Sequence, residues 1–101
     1  MSRASLKRAD DGRLTLEGEL SFTTVKRLLG EAQRLFEQVE DIRIDLRGIS
    51  RSDSAGLALL VEWMRGAQRL DKPIQFLNIP PQMLAIARVS GLDQVLPLSR
   101  G

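Results

Sequence analysis

The stretch Ser50-Arg51-Ser52-Asp53-Ser54-Ala55-Gly56-Leu57 joins two segments of different periodicity. Before it, Asp41-Ile42-Arg43-Ile44-Asp45-Leu46 alternates polar and apolar, and isoleucine is a strong strand former, which predicts a strand over Ile42 to Leu46. After it, Leu57, Leu60, Val61, Met64, Ala67 and Gln68 fall on one face at about 100° per residue, which predicts a helix from Asp53 to about Leu70. Asp71-Lys72-Pro73 stops that helix. A polar run rich in capping residues thus hands a strand to a helix.

The same alternation continues on both sides. Upstream, Arg13-Leu14-Thr15-Leu16-Glu17 reads as a half-buried strand that Gly18 ends or bulges. Asp10-Asp11-Gly12 is a hairpin turn that joins it to a weaker strand over Ser5 to Ala9. Ser21, Thr23 and Thr24 are all fit to cap a helix, and Val25, Leu28, Leu29, Ala32, Leu35 and Phe36 recur at its spacing. Downstream, Ile74 to Ile79 is a further strand, and Pro80-Pro81 opens a short helix through Met83, Ile86, Ala87 and Val89. Gly91 is its expected C′ residue, and Leu92 to Leu96 is expected to form a last half-buried turn.

The order is strand, strand, helix, strand, helix, strand, helix. Such alternation predicts an α/β fold with a small mixed, mainly parallel sheet and an antiparallel edge from the opening hairpin. The 101 residues show no repeat and no linker, so one domain is expected over 1–101.

Composition removes whole classes of chemistry. The chain is 43% hydrophobic and 28% charged, ordinary globular values. It has no cysteine and no histidine, which leaves no disulfide, no thiolate or imidazole ligand, and no Ser-His-Asp or Cys-His arrangement. Neither glycine-rich phosphate loop occurs, and the acidic residues are not at metal-ligand spacing, so no enzyme, cofactor or metal site is expected. The net charge is +2, with basic and acidic residues interleaved and only four aromatic residues, which argues against a nucleic-acid surface. The N-terminus has no apolar signal region and no run is long enough to span a membrane, so a cytoplasmic protein without membrane insertion is expected.

At the Ser50–Leu57 corner two readings stand side by side. Ser52, Asp53 or Ser54 caps the helix, and Ala55 and Gly56 let its first turn approach the sheet. Alternatively, the Ser54 hydroxyl lies where a helix N-terminus favours an anion, and a phosphate there would block a docking partner. On the same helix, Leu59 and the single tryptophan, Trp63, fall outside the main apolar stripe. Either they cover the edge of the core, or with Ala55 they form an exposed apolar shoulder for a partner.

The pieces together resemble the STAS family of anti-sigma-factor antagonists and related regulatory modules. The likeness rests on Gly18-Glu19-Leu20, on Asp45-Leu46 followed by Asp53-Ser54-Ala55-Gly56-Leu57, and on Gly91-Leu92-Asp93. The resemblance implies a four-stranded sheet with helices mostly on one face, and a signature serine, Ser54, able to accept phosphate from a partner kinase. Within the family, Asp53 to Leu60 with Glu62-Trp63, and Asn78-Ile79-Pro80-Pro81 with Leu84, Ile86 and Ala87, resemble the MlaB-type STAS subunits of Mla phospholipid ABC transporters. That likeness implies a non-enzymatic subunit, cytoplasmic and peripheral to the inner membrane, that binds and supports the transporter's ATPase. The implied contact face is Asp53, Ser54, Ala55, Gly56, Leu59 and Trp63. The alternative partner is an anti-sigma-factor kinase. One position departs from the family: an Asp commonly follows Gly-Glu-Leu, and here the chain reads Ser21-Phe22.

Overall fold

Ala4–Arg8 (β1) and Leu14–Leu20 (β2) form an antiparallel hairpin, and Ile42–Ser52 (β3), Ile74–Leu77 (β4) and Leu98–Ser99 (β5) extend it with parallel pairings, in the spatial order β1-β2-β3-β4-β5. Three helices alternate with the strands: Phe22–Gln38 (α1), Ser54–Arg69 (α2) and Pro81–Val89 (α3). The structure, a computed structural model, describes residues 3–99. The termini of the expected single domain, residues 1, 2, 100 and 101, lie outside the described residues.

The period of two decides which face of the sheet is covered. Leu6, Leu14, Leu16, Ile42, Ile44, Leu46 and Phe76 are buried beneath the helices. Their alternate neighbours Lys7, Thr15, Arg43 and Gln75 are exposed or half-buried on the other face. Helix α1 packs over β1 and β2, and α2 packs over β3 and against α1. Helix α1 buries Leu28, Ala32 and Phe36 at the expected spacing.

Three departures from the sequence reading have local causes. A fifth strand exists, two residues long and directly after Pro97, too short to show alternation. Strand β3 runs to Ser52, six residues beyond the expected end at Leu46, because Gly48, Ile49, Arg51 and Ser52 stay paired with β2 across two register shifts. Of the two outcomes expected at Gly18, the strand bulges and does not end: β2 passes through it at a register shift with φ +102. A Cβ there would collide with the Arg3 carbonyl oxygen, so glycine is required both for the backbone angle and for the approach of β1. Finally, α2 is turned about its axis relative to the expected stripe. Leu59, Leu60, Trp63 and Ala67 are buried, while Met64 is half-buried and Gln68 is exposed.

That rotation follows from α2 having helices as well as the sheet for neighbours. A helix touching only a sheet buries one stripe, but α2 also lies against α1, so its apolar sector is wider. Trp63 fills the seam. Its ring meets Phe36 edge to face, with centroids 5.9 Å apart at 67°. Of the two readings of Leu59 and Trp63, the structure has the one in which they cover the core, not the exposed shoulder: Leu59 is 1% and Trp63 2% exposed, and Ala55 and Gly56 are buried too.

Among the described residues Asp45 is the one buried acidic residue. It lies on the helix-free face and accepts from the Arg47 N–H at 2.9 Å, Asn78 Nδ2 at 3.3 Å and Arg13 Nη1 at 3.2 Å. Burial alone pushes its carboxyl up, but these donors together outweigh burial and hold it below the ordinary value.

Candidate functional site at the starts of the helices

Strands β2, β3 and β4 run parallel and each leads directly into a helix, so α1, α2 and α3 all begin at one end of the sheet. Three positive dipole ends therefore share that end. It is the carboxyl end of the parallel strands, the end at which open α/β sheets place their ligands.

The α2 start is built by a short chain of bonds. The Asp53 N–H donates to the Leu20 carbonyl at 3.2 Å, tying the end of β3 to the end of β2. The Asp53 carboxylate accepts from the Ala55 N–H at 2.8 Å, and the Asp53 carbonyl accepts from the Gly56 N–H at 3.0 Å. Of the three possible caps, Asp53 is the one used. Ser52 is buried, and its hydroxyl donates to the Asp53 carbonyl at 2.9 Å. A Cβ on Gly56 would collide with that hydroxyl and crowd Leu20, so the first turn of α2 lies as close to the sheet as glycine permits.

Ser54 is what this construction leaves outside. It is the first residue of α2, it is exposed, and its hydroxyl has no hydrogen-bond partner among the described residues. The exposed line on α2 continues from Ser54 through Ala58 to Arg65 and Gln68. Of the six residues expected to meet a partner, Asp53 and Ser54 reach the surface, whereas Ala55, Gly56, Leu59 and Trp63 support it from beneath.

The α1 start adds a residue that the sequence reading passed over. Ser21 caps α1 in a reciprocal box with Thr24, and its hydroxyl accepts from the Thr23 N–H at 3.3 Å. Phe22, next in the chain, is 82% exposed. The sequence held a signal for it: a scarce aromatic directly after a cap, outside the apolar stripe of Leu28, Ala32 and Phe36. Ser21 also lines a shallow depression of about 310 Å³ with Glu19, Arg51, Ser52, Asp53 and Gln82. The starts of all three helices thus meet around one hollow. Among the described residues no group of acidic side chains could hold a metal ion, and no helix is long and apolar enough to cross a membrane.

A family model for the MlaB STAS domain matches residues 5–98. The chain belongs to the MlaB-type STAS domains. Members of this family are regulatory or interaction domains and not enzymes. Among solved structures, the anti-sigma-factor antagonist SpoIIAA in its unphosphorylated form superposes with a TM-score of 0.75 at 20% identity, covering 98% of this chain and 88% of that one. The phosphorylated form of SpoIIAA, a Bacillus cell-fate determinant, gives 0.70 at 21% identity, covering 98% and 91%. An anti-sigma-factor antagonist from Mycobacterium paratuberculosis gives 0.76 at 17% identity, covering 100% and 87%. At these identities the likeness shows the fold. No curated protein sequence matches the chain.

Proposed function

We propose that this STAS domain is a non-catalytic subunit that binds and supports the ATPase of a phospholipid-transporting, Mla-type ABC complex. On this reading it resides in the cytoplasm, held at the inner membrane through that complex. The observation that carries the reading is the exposed Ser54 hydroxyl at the start of α2, without a hydrogen-bond partner among the described residues, with Asp53 committed to the cap and Phe22 exposed on the neighbouring helix start. A polar centre with a projecting aromatic beside it is the composition of a protein-contact surface, in which aromatic anchors supply most of the affinity. Membership in the MlaB-type family supports the choice of an ATPase subunit as partner.

The test is affinity purification of the tagged protein from its native cells, with partners identified by mass. Co-purification of an ABC ATPase, reduced in Ser54→Asp and in Phe22→Ser, supports the proposal. A wild-type protein that brings down no ATPase refutes it.

A second reading rests on the same hydroxyl. An exposed serine without an internal partner at a helix start is fit to accept phosphate, and relatives in fold include an anti-sigma-factor antagonist solved in phosphorylated form. Here the partner is an anti-sigma-factor kinase that phosphorylates Ser54 and is thereby released. Phosphate found on Ser54 in purified protein, absent in Ser54→Ala, favours this second reading.

A further inference from the structure

A groove of about 290 Å³ lies between α1 and α2, lined on the α1 side by Leu29, Ala32 and Phe36, and on the α2 side by Trp63, Gly66 and Leu70, with Arg69 at its rim. It plays no part in the site at the helix starts, since none of its residues lines the hollow around Ser21, Asp53 and Gln82. Two of its walls, Leu29 and Leu70, are large apolar side chains left 38% exposed. Gly66 keeps the floor open: a Cβ there would touch Arg69 Nη2 at 3.8 Å, so the guanidinium folds back over the groove.

Two polar groups of this groove lack partners. The Trp63 indole nitrogen is buried and has no acceptor. Buried indole N–H groups ordinarily find one, and Trp63 is among the residues that line the groove, so this donor calls for an acceptor from outside. Arg69 takes part in no ion pair among the described residues. Glu62, the acidic side chain that also lines the groove, is engaged by Arg65 at 3.1 Å, so it does not neutralise Arg69. Apolar walls, one unanswered N–H and one unpaired guanidinium together select an apolar body with an anionic acceptor head. The volume sits at the small end of ligand cavities, which limits the body to a short chain.

We propose that the α1–α2 groove binds a small amphiphilic monocarboxylate, its carboxylate at Arg69 and the Trp63 indole N–H, and its apolar chain against Leu29, Phe36 and Leu70. Trp63 is the sole tryptophan, so one indole resonance reports the site without overlap. The test is a titration of ¹⁵N-labelled full-length protein with octanoate, followed at that resonance, with octanol as the uncharged control. The expected result is a saturable downfield shift of the indole proton with octanoate and a smaller or absent shift with octanol. Arg69→Gln should weaken octanoate binding about fivefold, the loss of one exposed charge-assisted contact. Leu29→Glu, placed on the half-open surface of α1, should abolish it with the backbone spectrum otherwise preserved. No shift at millimolar octanoate overturns the proposal, and so does an equal affinity for octanol or an unchanged affinity in Arg69→Gln.

Discussion

The Ser52 hydroxyl occupies the space that a Cβ on Gly56 would need, with Leu20 closing the other side. The strand end and the helix start are thereby held at backbone contact. Gly56→Ala should cost about 1–3 kcal/mol through overpacking, since the added methyl must displace the buried Ser52 hydroxyl and crowd Leu20. Gly30→Ala is the contrast. It lies within α1 with no atom within 4 Å of its added Cβ, and should gain about 0.5–1 kcal/mol from helix propensity. Urea unfolding of both variants checks the pair, and equal effects would refute the close approach at Gly56.

Trp63 belongs to the core. Trp63→Ala should destabilise the domain by about 3–5 kcal/mol, a large share of the stability of a domain this size. The folded protein should fluoresce as a buried indole and shift red on unfolding. A spectrum that is red in the native state would contradict the packing of Trp63 on Phe36.

Stability and partner binding should separate at the helix starts. Asp53→Ala removes the α2 cap and should cost about 1 kcal/mol. Ser54→Ala and Phe22→Ser remove exposed groups and should change stability by no more than about 0.5 kcal/mol. Thermal unfolding measures the first set of effects and co-purification the second. Ser54 and Phe22 variants that are stable and still bind fully would refute the proposed contact surface.

Asp45 should set an acid limit. Its folded-state carboxyl titrates below the ordinary value of 3.8, so its ionised form stabilises the fold. That contribution is complete above the unfolded-state value and is lost as pH falls below 3.8 through the lower folded value. Asp45→Asn should remove this part of the acid dependence, as read from urea midpoints across that range. An unchanged acid profile in Asp45→Asn would refute the role of the Arg47, Asn78 and Arg13 contacts.

The legible parts of the sequence were those with a strong period and a local stop. Ile42 to Leu46 alternates without a break, α1 carries its stripe and caps, and Asp53-Ser54-Ala55-Gly56 combines a cap with residues small enough for close approach. Three features depend on what lies across from them. Arg47 to Ser52 has no clean alternation, and its strand state comes from pairing with β2. The face that α2 buries depends on α1 beside it, which a helical wheel of α2 alone does not contain, and so Leu59 and Trp63 fell on the wrong side of the divide. Leu98 and Ser99 become a strand by pairing with Phe76 and Leu77. At the helix starts, the Asp53 cap and the place of Ser54 in the first turn of α2 were legible from chemistry and spacing. Phe22 was not, because exposure of an apolar residue is a property of the assembled surface.

The two edges of the sheet bear on how the protein behaves at high concentration. A five-stranded sheet with free edges is a template onto which other chains can add strands. Here one edge, β5, offers only two residues and follows Pro97, which has no N–H to give. The other, β1, ends in Lys7 and Arg8, both exposed, so an approaching copy meets like charge. The fold thus guards itself against strand-by-strand growth at both margins, and its self-association should be resisted where its partner contacts are not.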